Sequence, residues 1–127
     1  MFEKVKQMFV GAQAPVEVNF EEANATLKNP QALLLDVREL EEWQHLRIPH
    51  ARHIPLGNLE KCLAELSPDK NVRIICHCKS GRRSFVARDI LLKQGFTNVS
   101  SLRGGIMEWK NKGGAVEGVD SAGCGCC

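Results

Sequence analysis

The sequence predicts an α/β domain in which a central parallel sheet of about five strands is covered by helices on both faces. Short apolar runs alternate with amphipathic stretches along most of the chain, a pattern typical of strand and helix units in such a sheet. The 127 residues are the usual length of one domain. Apolar residues make up 43% and charged residues 25%, as in ordinary globular proteins.

The first half of the chain opens with a strand and a capped helix. Residues 16–18 form a short apolar strand, and Asn19 has the side chain of a helix cap. Glu21 and Glu22 follow in the first turn, where carboxylates complement the helix dipole, so we predict a helix over 20–28. The other predicted elements of this half are a strand at 32–37, a helix at 39–45 and a strand at 52–54.

The second half contains the clearest helix. Phe85, Val86, Ile90 and Leu91 recur at helical spacing within 84–95, and Gly95 tolerates the left-handed conformation that ends a helix. The other predicted elements are helices at 57–66 and 106–112, each after a proline or glycine break, and strands at 72–77 and 99–102.

The two ends of the chain differ from the predicted domain at 14–117. Residues 1–13 are predicted to be a helix or extension with Phe2, Val5 and Phe9 on one face. It could lie on a membrane surface, but its sparse basic charge favours packing on its own domain. Residues 118–127 are rich in glycine and cysteine and are expected to be a flexible tail.

Charge and hydropathy restrict the classes of partner. The net charge is only +2, from 17 basic and 15 acidic side chains, so no nucleic-acid partner is expected. No apolar run is long enough to cross a bilayer, and the N-terminus lacks the pattern of a signal peptide. We therefore expect a cytoplasmic protein without membrane contact. Without an export signal, the six cysteines indicate reactive or metal-binding thiols rather than disulfides.

The stretch HCKSGRRS, residues 77–84, carries the chemistry. It follows a predicted buried strand and opens a helix, so it lies where open α/β sheets bind ligands. Backbone N–H groups in such a loop bind anions, and together with nearby cations they lower the pKa of a thiol. A cysteine with a lowered pKa is a good nucleophile, so Cys78 is the candidate nucleophile. The residues predicted to bind the substrate are Lys79, Ser80, Gly81, Arg82, Arg83 and Ser84.

Other nearby side chains have simpler interpretations. Cys76 lies within the apolar strand and Cys62 within a predicted helix, so both are expected to be inert core thiols. His77 neighbours Cys78, but adjacent strand residues point to opposite faces, so we expect a structural role rather than a general base. A thiolate that has already formed needs no base.

Four segments between residues 16 and 116 resemble the rhodanese family of sulfurtransferases. LLLDVRELEEW resembles the first family signature, and IPHARHIPL resembles the I-P-x-A-x-x-I-P-L segment that follows it. CKSGRRS resembles the active loop C-x-x-G-x-R-S, and LRGGIMEWKNKGGAVE resembles the G-G-x-x-x-W ending. The four segments occur in the family order.

The resemblance implies a three-layer rhodanese-like domain that transfers sulfur through a persulfide on Cys78, with Arg83 as the loop arginine. The donor would be thiosulfate or another small anionic sulfane compound. The acceptor would be cyanide, a small thiol or a protein cysteine. Neither a cofactor nor a metal is expected in this reaction, and two half-reactions imply ping-pong kinetics.

Further residues match family positions around the loop. Asp36 and Arg38 occupy the D-x-R positions, where charged hydrogen bonds would hold neighbouring loops, although a solvated ion pair is an alternative for Arg38. Gly104, Gly105 and Trp109 are expected to be architectural, the glycines for close chain approach and the tryptophan for core area.

One segment departs from the family pattern. Where the family often has G-H-I-P-G-A, residues 46–51 read LRIPHA and lack both glycines, so the turn there is not predictable from the family. The change adds positive or titratable side chains that could attract an anionic donor, although a solvated surface is the simpler interpretation. These side chains are Arg47, His50, Arg52 and His53.

Two other functions are compatible with the fold. Phosphatases of this fold use H-C-x5-R, but here Ser84 takes the arginine position and Arg83 arrives one residue early. The shorter loop should be too tight for phosphate. A non-catalytic protein-binding module would be expected to lack the nucleophile or the loop glycine, and both Cys78 and Gly81 are present. A non-catalytic sulfur-carrier module is a further alternative.

The tail thiols Cys124, Cys126 and Cys127 have no assigned role in the family pattern. They could receive sulfur from Cys78, form a redox-sensitive disulfide or bind a soft metal ion. The C-x-C-C spacing lacks the paired arms of structural zinc sites, which favours relay or redox use over metal. Incidental thiols are the remaining interpretation.

Overall fold

The computed structural model describes residues 14–118, which form a five-stranded parallel sheet with helices on both faces. The predicted fold class is therefore confirmed. The helices and strands of the described region, in chain order, are β1 (Glu17–Val18), α1 (Phe20–Thr26), β2 (Leu33–Asp36), α2 (Leu40–His45), β3 (Leu46–Arg47), β4 (Arg52–His53), α3 (Leu63–Leu66), β5 (Ile74–His77), α4 (Arg82–Lys93), β6 (Val99–Leu102), α5 (Gly105–Asn111) and β7 (Glu117–Gly118).

The strand order in the main sheet is β1-β6-β5-β2-β4, so Cys78, the candidate nucleophile, follows the central strand β5. Strand β2 pairs with β5 in a register that places Asp36 opposite His77. On its other side, β2 pairs with β4 so that Asp36 lies opposite His53. Because parallel strands end at the same edge, the register brings these three side chains together beside the Cys78 loop.

Side-chain alternation divides the core into two layers. One layer contains Leu35, Cys76 and Cys78 together with residues of α4, and the other contains Leu34, Ile75 and residues of α5. Cys76 and Cys78 thus share a face, as period-two alternation requires, and His77 belongs to neither apolar cluster. The burial of both faces explains why the central strands are almost continuously apolar.

Helix α1 begins as the sequence predicts. The Asn19 side chain accepts a hydrogen bond from the Glu22 N–H at 2.8 Å, and the Glu22 carboxylate accepts one from the Asn19 N–H at 2.9 Å. This reciprocal capping satisfies two N–H groups that a helix start leaves without partners. The predicted helices over 39–45 and 106–112 are also present, within a residue at each end.

The continuous helix predicted over 57–66 is wrong. A 3₁₀ turn at Leu56–Asn58 is followed by irregular turns, and only Leu63–Leu66 is α-helical. The Asn58 carbonyl accepts hydrogen bonds from the N–H groups of both Lys61 and Cys62. This mixture of i+3 and i+4 bonding interrupts a regular helix. Cys62 becomes the residue before α3, where its backbone is not helical.

A second sheet, not anticipated from the sequence, pairs β3 with β7 in antiparallel fashion. Leu46 lies opposite Gly118, and Arg47 lies opposite Glu117. The Arg47 side chain donates to the Glu117 carboxylate at 3.0 Å and lies over the Trp43 ring. Strands of two residues with a partner 70 positions away carry no periodic signal in the sequence.

His50 preserves the turn in the segment that lacks family glycines. Its φ angle is 70°, in the left-handed region that glycine adopts most readily. Histidine is enriched there relative to most other residues. The side chain is exposed, so the turn forms without burying the imidazole.

The proposed boundaries at the chain ends fall at the edge of the described region. The predicted N-terminal helix at 1–13 and nearly all of the tail at 118–127 lie outside the described residues. Among residues 14–118, no helix is both long enough and apolar enough to cross a membrane.

Candidate active site

The Cys78 loop connects the buried strand β5 to the helix α4. Residues 74–77 are all buried, which fixes the end of the strand in the centre of the sheet. Gly81 precedes α4 with a φ angle of 115°, a conformation that a side chain would strain. The chain therefore reverses within three residues, and its N–H groups turn inward around Cys78.

Cys78 lies at the base of this loop. Its side chain is buried, with 1% exposure. The Gly81 N–H donates to Sγ at 3.1 Å, and the Ser84 hydroxyl oxygen lies 3.7 Å from Sγ. A sulfur atom so enclosed is accessible only from the mouth of the loop.

The loop favours the ionised form of the thiol. Burial alone raises the pKa of Cys78, but hydrogen bonds from the Ser84 amide and hydroxyl and from the Gly81 and Ser80 amides lower it below its ordinary value. Cations were expected to help, yet the main favourable contributions come from hydrogen-bond donors. A thiolate is the form of cysteine that acts as a nucleophile.

Helix α5 supports the loop from the other side. The Ile106 N–H donates to the Cys78 carbonyl oxygen at 2.9 Å, and the Met107 N–H donates to the Lys79 carbonyl oxygen at 3.2 Å. A Cβ atom on Gly105 would collide with those same carbonyl oxygens. The predicted close approach at this glycine is thus confirmed, and it is what lets α5 satisfy the loop carbonyls.

Ser84 connects the loop to the sheet. Its hydroxyl lies 3.1 Å from the Gly81 carbonyl oxygen and 2.7 Å from the Ser101 hydroxyl, and both serines are fully buried. Ser101 lies in β6 and was not identified from the sequence, since a serine within a strand gives no signal of its own. When Ser101 donates to Ser84, the single Ser84 hydroxyl proton has two acceptors within reach, the Gly81 carbonyl oxygen and Cys78 Sγ.

Arg83 does not point freely into the loop. Its guanidinium forms a two-pronged ion pair with the Glu42 carboxylate of α2, with distances of 2.7 and 2.9 Å. Glu42 was not anticipated as a partner because it lies 41 residues away. The pair ties the start of α4 to α2. Lys79 and Arg82 are exposed and form no ion pair with another described residue.

Asp36 and Arg38 form a buried pair behind the loop. The Arg38 guanidinium donates to both Asp36 oxygens, the shortest contact being 2.7 Å, and also to the Leu46 carbonyl oxygen at 2.7 Å. Arg38 is 3% exposed, so the alternative of a solvated ion pair is wrong. Burial alone raises the pKa of Asp36, but the Arg38 hydrogen bonds outweigh it and keep the pKa below its usual range.

His77 lies between this pair and the nucleophile loop. Its Nε2 is 3.5 Å from the Asp36 carboxylate, and its Nδ1 is 3.4 Å from the Cys78 carbonyl oxygen. Nε2 has no hydrogen-bond partner within the described structure. Burial lowers the pKa of His77 to about 4, against the opposing attraction of Asp36. The ring is therefore neutral at pH 7, and neither ring nitrogen forms a hydrogen bond with Sγ.

The other histidine and arginine side chains near the sheet edge are engaged within the domain. His53 Nε2 lies 2.8 Å from the Arg38 carbonyl oxygen, and its ring stacks on Trp43. Arg52 donates to the Glu65 carbonyl oxygen at 2.7 Å. His50 and Arg52 are exposed, in agreement with the predicted solvated surface, whereas Arg47 pairs with Glu117.

The remaining thiols differ in burial. Cys76 is fully buried, and burial raises the pKa of its thiol to about 12, in agreement with an inert core residue. Cys62 is only partly buried at the edge of the same apolar cluster. The tail thiols Cys124, Cys126 and Cys127 lie outside the described residues. Within 14–118, no group of three or more potential ligands could hold a metal ion.

One groove lies away from the Cys78 loop. Its volume is about 570 Å³, and it is bordered by the end of α1, the 48–50 turn and Trp109, with no residue of the Cys78 loop. The Trp109 ring packs edge-on against Phe20 at 5.1 Å and donates to the Ala115 carbonyl oxygen, as expected for an architectural tryptophan. The groove therefore does not change the location of the candidate active site.

The fold and the loop together define a class of protein. It comprises α/β domains that hold a cysteine within a loop whose backbone amides lower the pKa of its thiol, at the carboxyl end of the central strand of a parallel sheet.

Comparison with known proteins identifies the family within this class. Residues 19–112 match the Rhodanese-like domain, and the chain belongs to the rhodanese family. A Bacillus subtilis relative, named as a candidate sulfur carrier protein, is 40% identical over 97 residues that cover 76% of this chain and 51% of that protein. The chain thus spans about half the length of this relative.

Two further proteins are named as sulfurtransferases. One, from Allochromatium vinosum, is 33% identical over 98 residues, covering 76% of this chain and 90% of its own. The crystal structure of a thiosulfate sulfurtransferase from Pseudomonas aeruginosa superposes with a TM-score of 0.74 at 32% identity, covering 84% of this chain and 21% of that one. Relatives of this domain therefore include named sulfurtransferases.

Proposed function

We propose that this protein is a sulfurtransferase that moves a sulfane sulfur from thiosulfate or a related anionic donor to a thiophilic acceptor. The sulfur is carried as a persulfide on Cys78. The observation that supports this most directly is the enclosure of Cys78 Sγ by the Gly81 amide at 3.1 Å and by Ser84, which favours a thiolate.

In the first half-reaction, the Cys78 thiolate attacks the outer sulfur of thiosulfate. A bond forms between Sγ and that sulfur, the sulfur–sulfur bond of thiosulfate breaks, and sulfite leaves with the bonding electron pair. Charge is conserved, since the thiolate and thiosulfate together carry the same charge as the persulfide anion and sulfite. The amides of residues 79–84 would stabilise the negative charge on the terminal sulfur.

In the second half-reaction, an acceptor such as cyanide or a thiolate attacks the outer sulfur of the persulfide. The bond to Sγ breaks, and Cys78 leaves as a thiolate. The hydrogen bonds that lower its pKa also make it a better leaving group. No step requires a general base, a metal or a redox cofactor, because in each half-reaction an anionic nucleophile forms one bond to the transferred sulfur while an anionic leaving group departs with the electron pair of the broken bond.

A phosphatase is disfavoured by the loop. A phosphate needs room for its peripheral oxygens and a guanidinium to bind them. Here the guanidinium of Arg83 is paired with Glu42, and Ser84 occupies the next position with its hydroxyl directed into the domain. A loop that closes around one sulfur atom suits a persulfide better.

A non-catalytic sulfur carrier or binding module is the second candidate, since one relative is named as a candidate carrier. A carrier would hold the persulfide but would not turn over with thiosulfate. The geometry of Cys78 is compatible with both roles, so turnover separates them.

The test is thiosulfate-dependent sulfur transfer by the wild-type chain and by Cys78→Ser. Intact mass spectrometry after thiosulfate treatment should show one added sulfur on the wild type, mapped to Cys78, and none on the variant. Thiocyanate formation from thiosulfate and cyanide should be lost in the variant by at least about a thousandfold, because the covalent intermediate cannot form. Circular dichroism should show the same fold in both proteins.

Each other outcome has a definite meaning. Turnover retained in Cys78→Ser would place the nucleophile elsewhere. Stoichiometric sulfur loading without turnover would indicate a carrier, and release of phosphate from an aryl phosphate without thiocyanate formation would indicate a phosphatase. A variant with Cys124, Cys126 and Cys127 all changed to serine shows whether added sulfur on the wild type is shared with the tail.

A further inference from the structure

Ser101 is a buried polar residue in the apolar layer behind the Cys78 loop. It lies in β6, where alternation with Val99 directs its side chain toward the layer that contains Cys76 and Cys78. The residue is fully buried, with 0% exposure. A hydroxyl group buried in such a layer needs a hydrogen-bond partner, and that partner indicates what the residue does.

The contact between Ser101 and Ser84 has a direction that burial determines. The two hydroxyl oxygens are 2.7 Å apart, and within residues 14–118 the Ser101 hydroxyl has no other hydrogen-bond partner. If Ser84 donated to Ser101, the Ser101 proton would be buried without an acceptor among the described residues, which is costly. Ser101 therefore donates the hydrogen bond, and Ser84 accepts it.

This direction leaves the single Ser84 proton for the loop. Its two acceptors there are the Gly81 carbonyl oxygen at 3.1 Å and Cys78 Sγ at 3.7 Å. A negative charge on Sγ draws the proton toward sulfur, because hydrogen bonds to charged groups are stronger. A hydroxyl that accepts one hydrogen bond also donates its own more strongly, since chains of hydrogen bonds polarise one another. Donation by Ser101 thus strengthens donation by Ser84.

The groups that surround Ser101 leave Ser84 as its connection to the loop. In the sheet register, Ser101 lies opposite Cys76 of β5 and Glu17 of β1. Cys76 carries no charge at neutral pH, because burial raises the pKa of its thiol to about 12. The charged side chains on the neighbouring elements have other partners, which are Arg103 for Glu17 and the Val99 carbonyl oxygen for Arg88.

We propose that Ser101 is a positioning residue for Cys78: its hydroxyl donates to Ser84, holds the Ser84 oxygen in place and directs the Ser84 proton to the sulfur. The inference rests on Cys78 as the nucleophile of the proposed function, and it extends the site to β6, a strand that does not carry the loop. Because Ser101 forms no hydrogen bond with Cys78 in the described structure, its effect should vanish when the Ser84 hydroxyl is absent.

Ser100 supplies a matched control. It is also a fully buried serine of β6, but it lies on the opposite face of the sheet, where its hydroxyl contacts the Pro15 carbonyl oxygen and the Arg73 guanidinium. Loss of either serine hydroxyl removes a buried hydrogen bond and should destabilise the domain. Only Ser101 is connected to the loop, so the two alanine variants separate a positioning role from a general loss of stability.

The test is the pH dependence of Cys78 alkylation by iodoacetamide, which needs neither a sulfur donor nor a sulfur acceptor. The parent protein and all variants carry serine at 124, 126 and 127, and peptide mapping identifies the alkylated residue. Circular dichroism confirms that each protein is folded. The variants compared with the parent are Ser84→Ala, Ser100→Ala, Ser101→Ala and Ser84→Ala/Ser101→Ala.

Ser101→Ala should be alkylated about twofold more slowly at pH 7, because one hydrogen bond strengthens the next by only about 10–30%. It should reach the parent rate at high pH, where the thiol is ionised in both proteins. Ser100→Ala should keep the parent profile. The double variant should match Ser84→Ala, because a residue that acts through Ser84 has no further effect once that hydroxyl is gone.

An unchanged profile in Ser101→Ala would overturn the proposal, and so would an equal change in Ser100→Ala or a further slowing in the double variant. A rate that falls by the same factor at every pH would indicate reduced access to the sulfur and would also overturn it. Failure of the proposed function looks different: the parent protein itself would then be alkylated only in the pH range of an ordinary thiol, and the role of Ser101 would fall with it.

Discussion

At the residue scale, the reactivity of Cys78 depends on what surrounds one sulfur atom. The Gly81 and Ser84 N–H groups and the Ser84 hydroxyl lower the pKa of a thiol whose burial alone would raise it. Cys76, two positions earlier and within β5, shows the opposite result, since burial without such donors raises its pKa to about 12. The difference between a nucleophile and an inert thiol is therefore a matter of loop geometry.

Replacing Ser84 with alanine should raise the pKa of Cys78, because the hydroxyl hydrogen bond is removed while the backbone amide remains. A higher pKa leaves less thiolate at neutral pH, so alkylation by iodoacetamide should slow at pH 7 and approach the wild-type rate at high pH. The pH dependence of the alkylation rate measures this, with modified Cys78 identified by peptide mapping.

Ser80→Ala is the matched control for that substitution. Ser80 is exposed and contributes through its backbone amide, which alanine retains. Its alkylation profile should match that of the wild type. Identical profiles for Ser84→Ala and the wild type would show that the hydroxyl does not stabilise the thiolate.

At the scale of secondary-structure elements, the active loop is held by the starts of three helices. Helix α4 follows the loop directly, α5 donates two backbone N–H groups to it, and α2 is attached through the Glu42–Arg83 ion pair. Gly105 permits the α5 contact because a side chain there would strike the loop carbonyls. These contacts fix the loop without using the amides that face Cys78.

Glu42→Gln should destabilise the domain by on the order of 1 kcal/mol at pH 7, because the two-pronged ion pair with Arg83 is lost. The side-chain amide oxygen of the variant can still accept a hydrogen bond from the Glu39 N–H. The Arg83 hydrogen bond, opposed by partial burial, lowers the pKa of Glu42 to about 2 from an ordinary 4.5. The stabilisation is therefore present above pH 4.5 and is lost as the pH falls from 4.5 toward 2.

Urea unfolding at several pH values tests this expectation. The difference in free energy of unfolding between wild type and Glu42→Gln should narrow below pH 4.5. Glu41→Gln, at an exposed neighbouring position without an ion pair in the described region, should differ little from wild type at any pH. A gap that stays constant down to pH 3 would contradict the assigned role of the ion pair.

At the scale of the whole molecule, strand register assembles a charged network behind the nucleophile. Asp36, His77 and His53 come from three strands that end together, and Arg38 completes the network by bridging Asp36 to the Leu46 carbonyl. His77 connects the network to the backbone of Cys78. Because it is fully buried, its protonation is tied to the folding equilibrium.

The domain should lose about 2 kcal/mol of stability between pH 7.5 and pH 5 through His77 alone. Its pKa is about 4 when folded and about 6.5 when unfolded, so the unfolded chain binds more protons between these values. This contribution is fully present above pH 6.5 and is lost as the pH falls through that range. Urea unfolding of wild type and His77→Asn measures it, since the variant should lack this part of the pH dependence.

If the free energies of unfolding of wild type and His77→Asn changed with pH in the same way, this would contradict a buried neutral His77. The variant also provides a functional control, because a structural histidine should leave the pH dependence of Cys78 alkylation in place. A loss of that dependence in His77→Asn would instead indicate that the ring acts on the thiol directly.

Much of the fold and the core of the site could be predicted from local sequence. The loop from Cys78 to Ser84 was predicted from a motif of seven consecutive residues. Its turn requires a positive φ angle at position 81, which glycine adopts readily. The capped start of α1 is equally local, since Asn19 and Glu22 are three residues apart. Such features are predictable because the interacting atoms are close in the chain.

Partners distant in the chain were missed for the corresponding reason. Ser101 is 17 residues from Ser84, Glu42 is 41 from Arg83, and Glu117 is 70 from Arg47. Neither member of these pairs shows a pattern that specifies the other. The predicted helix over 57–66 was wrong because 3₁₀ and α bonding compete there, a balance that composition does not reveal.

By itself, the sequence predicted the α/β class, the positions of the main strands along the chain and the candidate nucleophile, because each depends on hydrophobic alternation or on neighbouring residues. Only the tertiary structure decided how that nucleophile is held: which hydroxyl faces Cys78, which carboxylate binds Arg83 and how closely α5 approaches the loop. These contacts arise when parallel strands align their ends and bring distant segments together. Hydrogen bonding and burial at one sulfur atom are set by that alignment.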